Sequence, residues 1–108
     1  MIRGAAVALL VATPACAQDA PLVQRYACED GRTVESAFLR LGERDLAVLS
    51  LDGAEPVVLT IAMSASGARY TGAGLQWWGK GMEEANLAPL AEGEDIASAP
   101  GTLCRAEG

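Results

Sequence analysis

The sequence predicts an all-β fold, a small antiparallel barrel or sandwich, on three observations. About seven or eight strand-like runs follow one another along the chain, with turn residues at spacings of roughly 8–12 residues. The breaks between them carry Asp-Gly and Gly-x-Gly combinations, which are tight-turn signals. Two cysteines, Cys28 and Cys104, lie near the two ends of this array, where a bond between them would staple a modest core. At 108 residues the chain has room for one domain and too little for two.

The elements follow in order. Gln18–Leu22 reads as a disordered lead-in, and Val23–Cys28 as a first strand that ends at Glu29-Asp30-Gly31. Thr33–Leu41 comes next, with Val34, Ser36 and Phe38 on one face, and Gly42-Glu43-Arg44 turns the chain. Asp45–Leu51 alternates Leu46, Val48 and Ser50 against Ala47, Leu49 and Leu51, then breaks at Asp52-Gly53. Val57–Met63 is the most β-branched run and the best candidate for a central strand. Ser64–Gly67 is a polar turn, Ala68–Thr71 a short strand, and Gly72-Ala73-Gly74 a flexible link. Leu75–Trp78 is another strand and Gly79-Lys80-Gly81 a turn. Met82–Leu90 stays open between helix and strand. Glu83-Glu84-Ala85 favours a helix, while the short length and Pro89 oppose one. Ala91–Gly101 is an acidic, small-residue loop, after which Leu103-Cys104 returns to the core.

The first seventeen residues stand apart from this domain, which therefore spans residues 18–108. A positive start at Arg3, the apolar run Gly4–Ala12 and the small-x-small ending Ala15-Cys16-Ala17 follow the grammar of a secretory signal peptide, with cleavage after Ala17. The apolar run is about half of the roughly 20 residues that span a bilayer. Cys16 leaves a second possibility, lipid attachment and a membrane anchor. The preceding Thr13-Pro14-Ala15 fits a lipobox poorly, so a soluble periplasmic product is favoured. Loss of the leader leaves Cys28 and Cys104 as an even pair in an oxidising compartment, and a disulfide is the natural inference. It would close nearly the whole domain, worth roughly 4–5 kcal/mol of chain entropy.

Charge and composition exclude several functions. Without Arg3, seven basic residues face fourteen acidic ones, a net charge of −7. Nucleic acids and anionic membranes repel such a chain, and a basic protein attracts it. The absence of histidine removes Ser-His-Asp and Cys-His chemistry, and two thiolates alone make a poor zinc site, so neither metal nor cofactor is expected. Glu29-Asp30, Glu83-Glu84 and Glu94-Asp95 read as solvated pairs beside turns.

The informative stretch is Ser66–Gly81, SGARYTGAGLQWWGKG. Trp77 and Trp78 are adjacent, so on a strand they point to opposite faces, one into the core and the other toward solvent or a loop. The surrounding glycines permit tight turns and close approach by a partner. Lys80, between two glycines, is expected on a protruding turn with its ammonium exposed. On composition alone an ordinary glycine-rich hairpin with a structural tryptophan fits equally well.

The stretch resembles the signature of the bacterial periplasmic and membrane-bound inhibitors of c-type (chicken-type) lysozyme. That family carries Ser-Gly-x-x-Tyr, here Ser66-Gly67-Ala68-Arg69-Tyr70. It continues with six residues, an aromatic, Trp, one residue and Lys-Gly, here ending Trp77-Trp78-Gly79-Lys80-Gly81, with Trp77 where Phe is usual. Tyr26-Ala27-Cys28 with Asp30-Gly31 is similar to the family's opening strand, and Cys104 to its late cysteine. The resemblance implies an eight-stranded antiparallel barrel without catalytic activity that binds c-type lysozyme and protects peptidoglycan. In that family the Ser loop enters the lysozyme cleft and meets the catalytic carboxylates, helped by the Lys. Ser66 and Lys80 are then the inhibitory pair, Gly67 and Gly81 shape their turns, and Tyr70 and Trp78 support them.

Two other functions fit the residues less well. A small barrel can bind a glycan or peptidoglycan fragment against Trp77 or Trp78. A Ser–Lys hydrolase using Ser66 and Lys80 lacks an evident oxyanion site.

Overall fold

The computed structural model describes residues Ala20–Gly108. The expected leader, its cleavage after Ala17 and the lipid attachment at Cys16 lie outside the described residues. Eight strands follow in order: β1 Leu22–Cys28, β2 Thr33–Leu41, β3 Arg44–Leu51, β4 Val57–Ala62, β5 Ala68–Gly72, β6 Leu75–Lys80, β7 Glu84–Pro89 and β8 Thr102–Ala106. Each pairs antiparallel with the next, and β1 pairs with β8, so the sheet closes into a barrel.

An eight-stranded barrel is just wide enough for side chains to fill it. Tyr26, Val34, Leu49, Leu59, Trp77 and Leu87 are each at most 1% exposed and occupy that interior. Tyr26 meets Trp77 edge to face at 4.9 Å, and Phe38 lies 5.7 Å from Tyr70 and 6.5 Å from Trp77. Trp77, the largest of these side chains, fills the centre, and truncating it to Ala is expected to cost about 3–5 kcal/mol. The β2 face read from the sequence points inward, and its one polar member, Ser36, donates from Oγ to the Gln24 carbonyl at 2.7 Å.

Barrel closure depends on a short seam. β1 and β8 share three register pairs, Tyr26 with Ala106, Ala27 with Arg105 and Cys28 with Cys104, against six between β1 and β2. The last pair of the seam is the disulfide Cys28–Cys104, with Cα atoms 3.8 Å apart. The covalent bond therefore reinforces one of the two shortest ladders of the barrel, the other being β4–β5.

Beyond one-residue shifts at Arg44, Met63 and Gly72, the ends of β3, β4 and β5, four expectations change. β1 begins at Leu22, already opposite Phe38, so the lead-in ends one residue earlier. Met82–Leu90 resolves to strand β7, because both its edges find partners in β6 and β8. The β-branched β4 is no more central than its neighbours: closure gives every strand two partners, and Val58 on its outer face is 54% exposed. Lys80 is the last residue of β6, not part of a protruding turn. The buried Gly79 pairs with Ala68 on one side and Ala85 on the other and carries the ladder through.

An up-and-down meander places alternate connections at alternate ends of the barrel. Residues 29–32, 52–56, 73–74 and 90–101 leave from one end. Residues 42–43, 63–67 and 81–83 leave from the other, so the Ser66 loop and the turn after Lys80 share an end.

Candidate partner-binding site

The two motifs meet because β5 and β6 are hydrogen-bonded neighbours. Their register sets Ala68 opposite Gly79, Arg69 opposite Trp78 and Tyr70 opposite Trp77. Tyr70 and Trp77 point into the barrel, and Arg69 and Trp78 point out. Trp78 then covers the loop before β5, and its indole Nε1–H donates to the Ser66 carbonyl at 2.8 Å.

Gly67 lets this loop lie flat. Its φ is +68°, and a Cβ there would fall 2.4 Å from the Gly79 carbonyl oxygen and 3.2 Å from Trp78 Nε1. Both the left-handed backbone and the close approach demand glycine. Ser64 Oγ donates to the Gly67 carbonyl at 3.1 Å and closes the loop on itself. Ser66 is left exposed at the tip.

The second turn is held from inside the barrel. The buried Tyr26 hydroxyl donates to the Met82 carbonyl at 2.9 Å, tying residues 81–83 to the core. Burial, with Glu83 adding to it, raises the Tyr26 pKa above the ordinary phenol value. Gly81 has φ +65° and needs glycine for that conformation. Lys80 is exposed opposite Glu84, yet among the described residues no ion pair includes its ammonium. The charge is available to a visitor.

Ser66, Gly67, Trp78, Lys80 and Gly81 thus gather at one end of the barrel, joined by Trp78 and Gly79. Tyr70 stands differently. It is 9% exposed and packs on Phe38 inside the mouth, so it shapes the core beneath the site and is not bonded to either turn. Burial, and after it Asp45, raises its pKa. A small recess of ≈ 140 Å³ between Tyr26, Tyr70, Trp77, Gly79 and Gly81 opens at this end. On the outer wall, Trp78, Lys80, Glu84, Asn86 and Leu103 line a shallow groove of ≈ 350 Å³.

Sequence reasoning passed over Arg69 and Gln76, which are 2% and 4% exposed. Alternation places both on the outer face, since Tyr70 and Trp77 face inward. Their burial comes from residues 91–97, which run back over β5 and β6. The Ala97 amide donates to Gln76 Oε1 at 3.0 Å, and Arg69 Nη1 donates to the Asp95 carbonyl at 2.8 Å. A long acidic loop gives no local sign that it folds over a sheet. Among the described residues, no group of three or more His, Cys, Asp or Glu is placed to hold a metal ion.

Known proteins match this geometry. Residues 26–95 match the family described as membrane-bound lysozyme-inhibitor of c-type lysozyme. A membrane-bound lysozyme inhibitor of C-type lysozyme from Cupriavidus necator is 40% identical over 75 residues, 69% of this chain and 58% of that protein. One of the same name from Pseudomonas aeruginosa is 40% identical over 62 residues, 57% of this chain and 48% of that protein. The chain thus spans only about half to three-fifths of these relatives' length. The crystal structure of Pseudomonas aeruginosa MliC in complex with hen egg white lysozyme superposes with a TM-score of 0.66 at 30% identity, covering 95% of this chain and 98% of that one. With both spaced motifs, the closed barrel and a family match over most of the folded domain, the chain belongs to the family of membrane-bound lysozyme inhibitors of c-type lysozyme.

Proposed function

We propose that the chain is an exported, non-catalytic inhibitor of c-type lysozyme that carries Ser66 and Lys80 into the partner's catalytic cleft. The observation that carries this reading is the bond from Trp78 Nε1 to the Ser66 carbonyl, which seats the exposed Ser66 on the strand that ends at the exposed Lys80. The chemistry suits a lysozyme cleft, where a general acid with a raised pKa works beside an ionised carboxylate. An ammonium placed there favours the ionised form of both groups and so disarms the acid. The serine hydroxyl donates to a carboxylate and fills space meant for sugar. A domain of net charge −7 meets a basic lysozyme with favourable long-range attraction. In this reading residues 1–17 direct export and residues 18–108 form the mature inhibitor, free in the periplasm, with Cys16 as the point of lipid attachment if cleavage falls before it.

Turnover of a c-type lysozyme on cell-wall substrate tests the proposal. The parent protein is expected to abolish turnover near a 1:1 ratio, and Ser66→Ala and Lys80→Ala each to weaken inhibition about tenfold while the fold is kept. Full inhibition by both variants would remove these two residues from the site. Capture of peptidoglycan without any effect on lysozyme would point instead to a glycan-binding module.

A further inference from the structure

Arg69 is buried, yet among the described residues no ion pair includes it. Its guanidinium is satisfied entirely by uncharged oxygens. Nε and Nη2 donate to the Met63 carbonyl at 3.1 and 2.8 Å, and Nη1 donates to the Asp95 carbonyl at 2.8 Å and to Gln76 Oε1 at 3.3 Å. Its carbon Cζ also lies 5.6 Å from the centre of the Trp78 ring. A buried charge without a counterion is kept only where such bonds hold it firmly.

The partners are what make this arrangement informative. Met63 opens the loop that carries Ser66, Asp95 belongs to the segment crossing the outer wall, and Trp78 holds the Ser66 carbonyl. One planar fork therefore touches three segments at once, a geometry a single ammonium does not reproduce. Gln76 Oε1 reinforces the join, because it accepts from both Arg69 and the Ala97 amide. Met63, 88% exposed, and Ile96, 53% exposed, flank the shallow recess over this network, beside the Ser66 loop.

We infer that Arg69 is a positioning residue that locks the Ser66 loop and the segment 91–97 onto Trp78 as one unit, making that segment a flank of the partner-binding end. The inference rests on the reading of Ser66 and Lys80 as the partner-facing pair. It explains why the loop beyond β7 folds back on the barrel, and it gives that loop a role in inhibition.

Hydrogen exchange and lysozyme inhibition, measured on the same variants, test it. Arg69→Met removes the donors and Arg69→Lys keeps the charge without the fork. Both are expected to speed exchange of the Trp78 indole N–H, which is bonded to the Ser66 carbonyl, about tenfold, with the amides of Leu49 and Leu59 unmoved. Both should also weaken inhibition about tenfold, chiefly through faster dissociation. Ala97→Pro, which deletes the N–H given to Gln76 and lies outside every strand, should speed the same exchange about threefold. Retained protection of the Trp78 indole in Arg69→Met overturns the inference, and so does a loosened loop with undiminished inhibition. If Arg69→Met does not fold, Ala97→Pro decides, and unchanged exchange in it is fatal. A parent protein that inhibits no c-type lysozyme defeats the site reading instead, while the exchange data still decide whether Arg69 locks the loop.

Discussion

The glycine turns at Asp30-Gly31 and Asp52-Gly53 differ in kind from those at Ser66-Gly67 and Lys80-Gly81. The first two combine bonds within the turn with bonds to the strand beside it: the Asp30 amide donates to Thr102 Oγ1, and Asp52 exchanges bonds with Thr33. Arg32 donates its amide to Asp30 Oδ1 and Gly31 its amide to the Cys28 carbonyl, while the Ala54 amide bonds the Leu51 carbonyl. A Cβ on Gly31 or Gly53 would meet nothing within 4 Å. The second two are held from afar: Ser66 by Trp78, Gly67 by contact with Gly79, and Met82 by Tyr26. The Asp30-Gly31 and Asp52-Gly53 turns are held by their own residues and by the strands beside them, and their glycines have open space around them. The turns that carry the proposed partner-facing residues are bonded to aromatic side chains, the indole of Trp78 and the phenol of Tyr26.

The largest test of this division is the disulfide, which closes the seam beside the Asp30-Gly31 turn. Replacing Cys28 and Cys104 by Ala is expected to lower stability by about 4–5 kcal/mol in urea or guanidinium unfolding. Molecules that remain folded should still inhibit lysozyme at the parent ratio. Loss of inhibition without unfolding would mean that the two ends are not separable.

Next come the glycines themselves. Gly67→Ala is expected to cost about 3 kcal/mol, because positive-φ strain adds to a backbone collision with Gly79. Gly31→Ala carries the strain alone and should cost about 1 kcal/mol. Equal losses for the two in denaturant titrations would erase the distinction.

The smallest effects are in pH. Asp30, bonded by Arg32, and Glu94, bonded by Ser98 and the Ala91 amide, have pKa values below their ordinary 3.8 and 4.5. Their contribution to stability is complete above those ordinary values and fades as the pH falls through the lowered ones. Tyr26 and Tyr70 have values raised above 10.0. Their contribution is complete below pH 10 and is lost as the pH rises through the raised values, when ionised Tyr26 no longer donates to Met82. Acid should therefore loosen the Asp30 turn, residues 91–98 and the Arg40–Asp45 pair beside residues 42–43, and alkali the turn after Lys80. Denaturant titrations at pH 3, 7 and 11 that showed no loss of stability at either extreme would break this assignment.

Much of the site was legible because β alternation is a local property. Adjacent Trp77 and Trp78 had to face opposite ways, and one went to the core and the other to a loop. The end of β6 was read two residues early, at Trp78 and not at Lys80, since glycines beside Lys80 read as a turn while Gly79, paired on both sides, continues the strand. Arg69 was missed altogether. Its burial is decided by residues more than twenty positions away, and a charged residue on an outer face gives no sign of a lid.

By itself the sequence determined the strand-and-turn rhythm, the cysteine pair, the acidic balance and the two motifs around Tyr70, all of which depend on near neighbours or on composition. Closure of the barrel, the helix-or-strand choice at Met82–Leu90, the seating of Ser66 on Trp78 and the covering of Arg69 by residues 91–97 were decided only in three dimensions. Each depends on backbone partners that the chain acquires when distant strands pair, and no local pattern encodes which strand arrives beside which.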